Sequence, residues 1–182
     1  MKTLLSFILI AFSFASCTSK DKKADSTSGV QAPSIDIHTA VMTDNLEAVQ
    51  QHIKAGTDLD QKEPMSGSTA LITAATFDKQ DIAKALIDAG ADLSVQNSDG
   101  STALHSAAFF CRVEIVQMLI DAQADKDIRN NYGATARESV MGPMEPVKPV
   151  YEMMQQQLGG FGLQLDMAEI EKTRPVIAMM LQ

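Results

Sequence analysis

The side chains that could do chemistry in this chain are few. They are two cysteines (Cys17, Cys111), three histidines (His38, His52, His105) and a concentration of methionine near the C-terminus. A lone thiol such as Cys111 could serve as a redox or metal-reactive group, or simply fill a small, half-buried turn position, as free cysteine often does. Met141, Met144, Met153, Met154, Met167, Met179 and Met180 make 7 of the chain's 11 methionines. Thioethers are soft ligands that could hold copper(I), but methionine is also a flexible gap-filler in apolar cores, and these spacings follow helical faces. No HExxH, CxxC or glycine-rich phosphate loop is present. Nor can a serine nucleophile be matched by motif to a histidine and a carboxylate. The expectation is therefore no catalytic residue, no resident metal and no cofactor.

What positions these side chains is a repeat. Gly67-Ser68-Thr69-Ala70-Leu71 returns as Gly100-Ser101-Thr102-Ala103-Leu104, and Gly133-Ala134-Thr135-Ala136 begins a third copy, with the glycines 33 residues apart. Ile87-Asp88-Ala89-Gly90-Ala91-Asp92 likewise returns as Ile120-Asp121-Ala122-Gln123-Ala124-Asp125. A fixed period of this size marks stacked repeats, each too small to bury its own apolar face without a neighbour. Leu71, Ala74 and Ala75 share one helical face, as do Leu104, Ala107 and Ala108; Ile82, Ala85 and Leu86, then Ile115, Val116, Leu119 and Ile120, mark the second helices. Thr102 suits an N-cap, and Gly90 a left-handed helix end that Gln123 fills at some cost.

These residues resemble the ankyrin repeat, with Thr102-Ala103-Leu104-His105 standing where that family has its Thr-Pro-Leu-His opening. Thr69-Ala70-Leu71-Ile72 matches less fully, and Asp36-Ile37-His38-Thr39-Ala40-Val41 is a weaker first copy, separated by one extra residue that Pro64 to Ser66 can absorb. The resemblance implies an all-α ankyrin-repeat solenoid over residues 35–140, in units of about 35–66, 67–99, 100–132 and a partial 133–140. It places Asp44, Asp78 and Cys111 at the turns between paired helices. It gives His38 and His105 a structural role bonding loop backbone.

Where ankyrin repeats bind partners, they use loop tips and the exposed face of each first helix. Carried over, the tips are Met65, Ser66, Ser68, Ser98, Asp99, Ser101, Asn131 and Tyr132, and the helix positions are Thr76, Phe77, Phe109 and Phe110. Exposed aromatic residues of this kind often mark interaction surfaces. The competing expectation is that Phe109 folds onto the neighbouring repeat, or that the C-terminal tail covers the row.

Residues 1–16 read as a signal peptide: Lys2 precedes an apolar run, Leu4 to Phe14, of 11 residues, too short to span a bilayer, which needs about 20. The run ends in Phe14-Ala15-Ser16-Cys17, which resembles a bacterial lipobox with phenylalanine where leucine is usual. That resemblance implies lipid on Cys17, a membrane attachment through it and, with Thr18 next, an outer-membrane location facing the periplasm; ordinary secretion is the alternative. Residues 17–34 form the lipidated cysteine and a polar tether.

The formal charge is -8, and residues 35–140 hold 16 acidic against 8 basic side chains, which argues against binding nucleic-acid phosphates. After Ser139 the period is lost. Pro149 suits the first turn of a helix to about Leu158, with Val150, Met153, Met154 and Leu158 as its apolar face. Asp166 can cap a further helix, which Pro175 kinks or divides. Residues 141–182 are expected to cap the stack, whose last unit cannot leave its apolar side in water.

The chain thus reads as a lipid-anchored, non-catalytic, monomeric module that binds an unidentified protein partner in the bacterial envelope. A redox or copper(I)-handling protein using Cys111 and the methionine tail is a second reading. A third, resting on family analogy, is an accessory or stabilising factor for an envelope enzyme such as a catalase.

Overall fold

The computed structural model describes residues 31–182; the signal-peptide and Cys17 lipidation expectations, and nearly all of the tether, lie outside them. Among the described residues there are eight α-helices and no strand. Three helix pairs follow one another: α1 (Ile37–Met42) with α2 (Leu46–Lys54), α3 (Ala70–Thr76) with α4 (Gln80–Asp88), and α5 (Ala103–Phe109) with α6 (Val113–Asp121). First helices pack on first helices and second on second, α1 on α3 on α5 and α2 on α4 on α6. This is the stacked solenoid that the period of 33 predicts.

The local reasons recur from unit to unit. Thr69 accepts from Ile72 N at 3.3 Å and Thr102 from His105 N at 3.4 Å, while Asp36 caps α1 through Thr39 N at 3.0 Å. Each first helix then ends in a left-handed residue: Asp44, Asp78 and Cys111 all have φ of 56°. The next amide reaches back to close the turn, as in Lys79 N to Ala74 O at 2.9 Å and Arg112 N to Ala107 O at 2.8 Å, the Schellman arrangement. The alanine pairs Ala74/Ala75 and Ala107/Ala108 are fully buried, so successive first helices approach without bulk between them. Leu71, Ile82, Leu86, Leu104, Ile115 and Leu119 fill the shared core.

The partial fourth unit stops early. Thr135 Oγ1 accepts from Glu138 N at 3.2 Å, as its counterparts do, but only a 3₁₀ turn, Glu138–Val140, follows before Gly142-Pro143. Two further helices complete the chain: α7 (Lys148–Leu158) and α8 (Met167–Met180), joined by a second 3₁₀ turn, Gly159–Phe161. Asp166 caps α8 as expected, and Pro175 lies inside that helix rather than dividing it. Ile177 and Leu181 enter the main core against α5 and α6, closing the last unit. Arg137 Nε donates to Ala178 O at 3.0 Å and Lys126 Nζ to Gln182 O at 2.5 Å, tying the end of α8 down.

The expected apolar face of α7 is a correction. Val150 and Met153 are exposed, and Tyr151, between them, is the buried residue of that helix. A ring brings more buried area than a valine or methionine, and its hydroxyl needs a polar partner; both are met on the side of the stack. No described helix is long and apolar enough to cross a membrane.

Candidate partner-binding surface

The loop tips form a ladder. Within each tip an amide and carbonyl close the loop: Glu63 N to Ser68 O, Asn97 N to Ser101 O, Asn130 N to Ala134 O. The first spans one residue more, which is where the extra residue of the 64–66 segment is absorbed. Between units, Ser98 N donates to Ser66 O and Asn131 N to Asp99 O, both at 2.9 Å. Asn131 Nδ2 also donates to Ser98 O at 3.0 Å. Six of the tip residues, Met65, Ser66, Ser98, Asp99, Asn131 and Tyr132, are exposed, while Ser68 and Ser101 are half-buried. Met65 is 93% and Tyr132 79% exposed, so two large apolar side chains stand in water on a hydrogen-bonded frame.

The other expected row lies about 10 Å away, at the far end of the first helices. Here the structure divides the four residues. Thr76 and Phe77 are half-buried and reach the surface. Phe110 is only 6% exposed and belongs to the interior. Phe109 stacks on Tyr151 with centroids 4.4 Å apart and meets Phe110 edge-on at 5.1 Å. The tail therefore covers the third unit's part of the row, leaving Phe109 half-buried under Tyr151 and Phe110 buried.

That cover has a polar seam. The Tyr151 hydroxyl donates to Phe109 O at 2.6 Å and accepts from Arg174 at 2.9 Å. Arg174 is 2% exposed, and its Nε finds no partner. Met144, Tyr151 and Ile170 form a second small core with Phe109, Cys111, Leu165 and Met167 against it. Burial pushes the Tyr151 hydroxyl up to about 12 and the Cys111 thiol up to about 11, against the pull of the nearby guanidiniums. At neutral pH Cys111 is thus a protonated thiol, a poor nucleophile and a poor metal ligand. The tail methionines are spread out: Met144 and Met167 sit in the second core, Met180 packs on the first, and Met153 faces water.

Histidine roles also divide. His105 Nδ1 accepts from Thr102 N at 3.3 Å, which leaves Nε2–H to donate to Ala134 O at 3.1 Å. This is the expected link between loops. His38 does not make its link; both ring nitrogens are buried without a partner among the described residues. α1 starts one residue later relative to its turn than α5 does, so no threonine cap stands where Thr102 serves His105. His52, unassigned from sequence, is buried and bonds Thr57 Oγ1 at 3.0 Å and Ile35 O at 2.8 Å.

Between the turns and the tail lies a groove of about 520 Å³. Phe77, Phe110, Leu165 and Ile170 supply its apolar lining. Gln155 holds the tail side in place, donating to Leu163 O at 2.9 Å and accepting from Leu165 N at 2.8 Å. Asp78, Asp166 and Glu169 stand around it with Arg112. Arg112 approaches Asp78 only to 3.9 Å and reaches Thr76 O and Gln164 O at 3.4 Å each; its Nε has no acceptor. Burial lowers its pKa from the usual arginine value, with Asp78 pulling the other way. Sequence reasoning found Phe77 but missed Arg112, Leu165, Glu169 and Ile170. The one signal for Arg112 was its place after a turn, where Lys79 in the preceding unit pairs with Asp44 at 3.1 Å.

Residues 37–130 match the family model for ankyrin repeats, in 3 copies. Among solved structures, the chain is similar to the ankyrin repeat domain of Bcl-3, described as a unique member of the IkappaB protein family. Identity is 31% and the TM-score 0.55, over 57% of this chain and 45% of that one. The chain thus spans a little under half the length of that domain. No curated protein matches the chain.

Proposed function

The chain belongs to the ankyrin-repeat family, and on that premise we propose that it is a non-catalytic module that holds another protein at the bacterial envelope. In this reading the protein is a monomer tethered by lipid on Cys17 to the outer membrane, facing the periplasm, and its tips and groove meet the partner. The observation that carries the binding role is the exposure of Met65 and Tyr132 on tips locked together from unit to unit. A preformed row of tips loses little conformational freedom on binding, and exposed large aromatic residues are among the side chains most often found at energetic centres of interfaces. The anchor rests on the Phe14-Ala15-Ser16-Cys17 pattern after a short apolar run.

Two experiments test this. A photo-crosslinking amino acid is placed at Tyr132, at Phe77, or at the exposed Gln117 of α6, in the whole chain in intact bacteria. A discrete adduct from position 132 or 77, and none from 117, is expected; no adduct from either, or the same products from all three, overturns the binding role. For the anchor, Cys17→Ala should abolish incorporation of a clickable fatty acid and release the protein from membranes. Retention of label without Cys17 overturns it.

A further inference from the structure

We propose that the groove between the Phe77–Asp78 turn and the 162–173 segment takes an extended strand of the partner protein in which a basic residue adjoins an apolar one. This rests on the protein-binding reading and gives it a chemistry. The groove is built partly from the C-terminal segment, beyond the stretch that matches the repeat family.

Three features select such an occupant. First, charge: three carboxylates, Asp78, Asp166 and Glu169, face one guanidinium, Arg112. Their existing ties are mostly long or exposed: Asp78 Oδ1 accepts from Gln80 Nε2 at 3.4 Å and Glu169 Oε1 from Thr173 Oγ1 at 3.2 Å. Glu169 pairs with Lys172 at 3.3 Å, with both side chains mostly in water, a kind of pair that contributes little and gives way readily. Asp78 meets Arg112 only at 3.9 Å, and Asp166 spends Oδ1 alone on the α8 cap. A lysine or arginine is the side chain that gains here, whereas a phosphate or an anionic lipid is repelled.

Second, the walls are apolar. Phe77, Phe110, Leu165 and Ile170 line the groove, so an aliphatic or aromatic side chain is favoured beside the cation. Third, the outer guanidinium nitrogens of Arg112 have donor capacity to spare, with two bonds of 3.4 Å to carbonyls and an approach to Asp78 of only 3.9 Å. The carbonyl oxygens of an extended strand supply acceptors without adding negative charge. The volume, about 520 Å³, falls in the range of about 300–1,000 Å³ typical of sites that enclose a ligand.

The test uses the whole chain in detergent and three fluorescent 12-residue peptides on a common Gly/Ser background. Their central sequences are Lys-Leu-Arg-Phe, Glu-Leu-Glu-Phe and Lys-Ser-Arg-Ser. Fluorescence anisotropy should give the first peptide a Kd at least about tenfold below the other two. Asp78→Asn, which keeps a residue tolerant of the left-handed turn, combined with Glu169→Gln, should weaken it about tenfold with the melting temperature unchanged. Met65→Ser with Tyr132→Ser should leave it unaffected. Equal binding of the three peptides, preference for the acidic one, or loss on the tip substitutions overturns the proposal. In cells, a crosslink at position 132 without one at 77 removes the groove and leaves the binding module; absence at both removes the module itself.

Discussion

The Tyr151 ring lies 4.4 Å from that of Phe109, centroid to centroid and 17° from parallel, while its hydroxyl donates to the Phe109 carbonyl at 2.6 Å. One side chain thus covers an apolar ring and satisfies a carbonyl at the end of α5. It also gives the buried Arg174 its acceptor, at 2.9 Å. The tail is fastened to the third unit at this point.

Tyr151→Phe keeps the stack and removes both hydrogen bonds. Urea denaturation should show a loss of about 1–3 kcal/mol, because Arg174 then lies buried with no acceptor for that donor. Tyr151→Ala should cost about 3–5 kcal/mol. Adding Arg174→Met to Tyr151→Phe should recover much of the loss, since a buried charge is replaced by packing atoms. If the double variant is weaker than the single, Arg174 has a stabilising partner other than Tyr151.

Phe77 and Phe110 occupy matching positions in successive units but differ in cover. Phe110→Ser should cost about 3–5 kcal/mol as a cavity in the interior. Phe77→Ser, at a half-buried site, should cost clearly less in the same denaturation measurement. Equal losses would place Phe77 in the core and remove it from the contact surface.

Gln123 sits at φ of 61° where Gly56 and Gly90, at φ of 72° and 83°, end the preceding second helices. Left-handed backbone costs a side-chain-bearing residue about 1–2 kcal/mol, partly offset by the greater freedom glycine loses on folding. Gln123→Gly should therefore stabilise the protein by about 0.5–1 kcal/mol, seen as a rise of about 1–4 °C in Tm.

Gly100 and Gly133 separate two costs of an added methyl group. Both have positive φ, but a Cβ at Gly100 would meet Asn131 N at 2.7 Å, whereas nothing lies within 4 Å of one at Gly133. Asn131 N is the amide that ties one tip to the previous one. Gly100→Ala should exceed Gly133→Ala by about 1–3 kcal/mol in denaturation experiments, and hydrogen exchange at Asn131 should rise only in the former.

Stability should fall on both sides of neutrality. Burial raises Cys111 from 9.0 to about 11 and Tyr151 from 10.0 to about 12. The folded state therefore holds protons that the unfolded chain releases. Their contribution is intact below pH 9 and is lost as pH rises through about 11 to 12. Cys111→Ser should remove the earlier part of that decline. Cys111 should also react slowly with a disulfide reagent at neutral pH until the protein is unfolded. Burial lowers His105 below its usual 6.5, so its contribution is present above that value and is lost on acidification through the lower folded value. His105→Gln should flatten that limb of a denaturation-versus-pH profile.

The repeat architecture was legible in the amino-acid sequence because it depends on short-range preferences that recur from unit to unit. Threonine caps, alanine pairs and left-handed turn residues each act within a few positions, and recurrence at 33 residues brings like faces together. Even the odd residue of the first interval shows in the 64–66 segment, where a loop accepts it without moving a helix. Exposure of the tips follows from the same local logic.

The tail was only half legible. Proline and aspartate marked the starts of α7 and α8, yet two residues of the expected apolar face, Val150 and Met153, meet water. The buried residue, Tyr151, was decided by a contact 42 positions away, with a ring and a carbonyl at the end of α5. No period reports such a contact, because it occurs once. The same holds for the groove: Phe77 could be named from its unit, but Leu165, Glu169 and Ile170 join it only because α8 docks on α5 and α6. Local backbone chemistry, repeated, specified the stack; the unrepeated packing of the tail against it decided which of its aromatic residues remain free to meet another molecule.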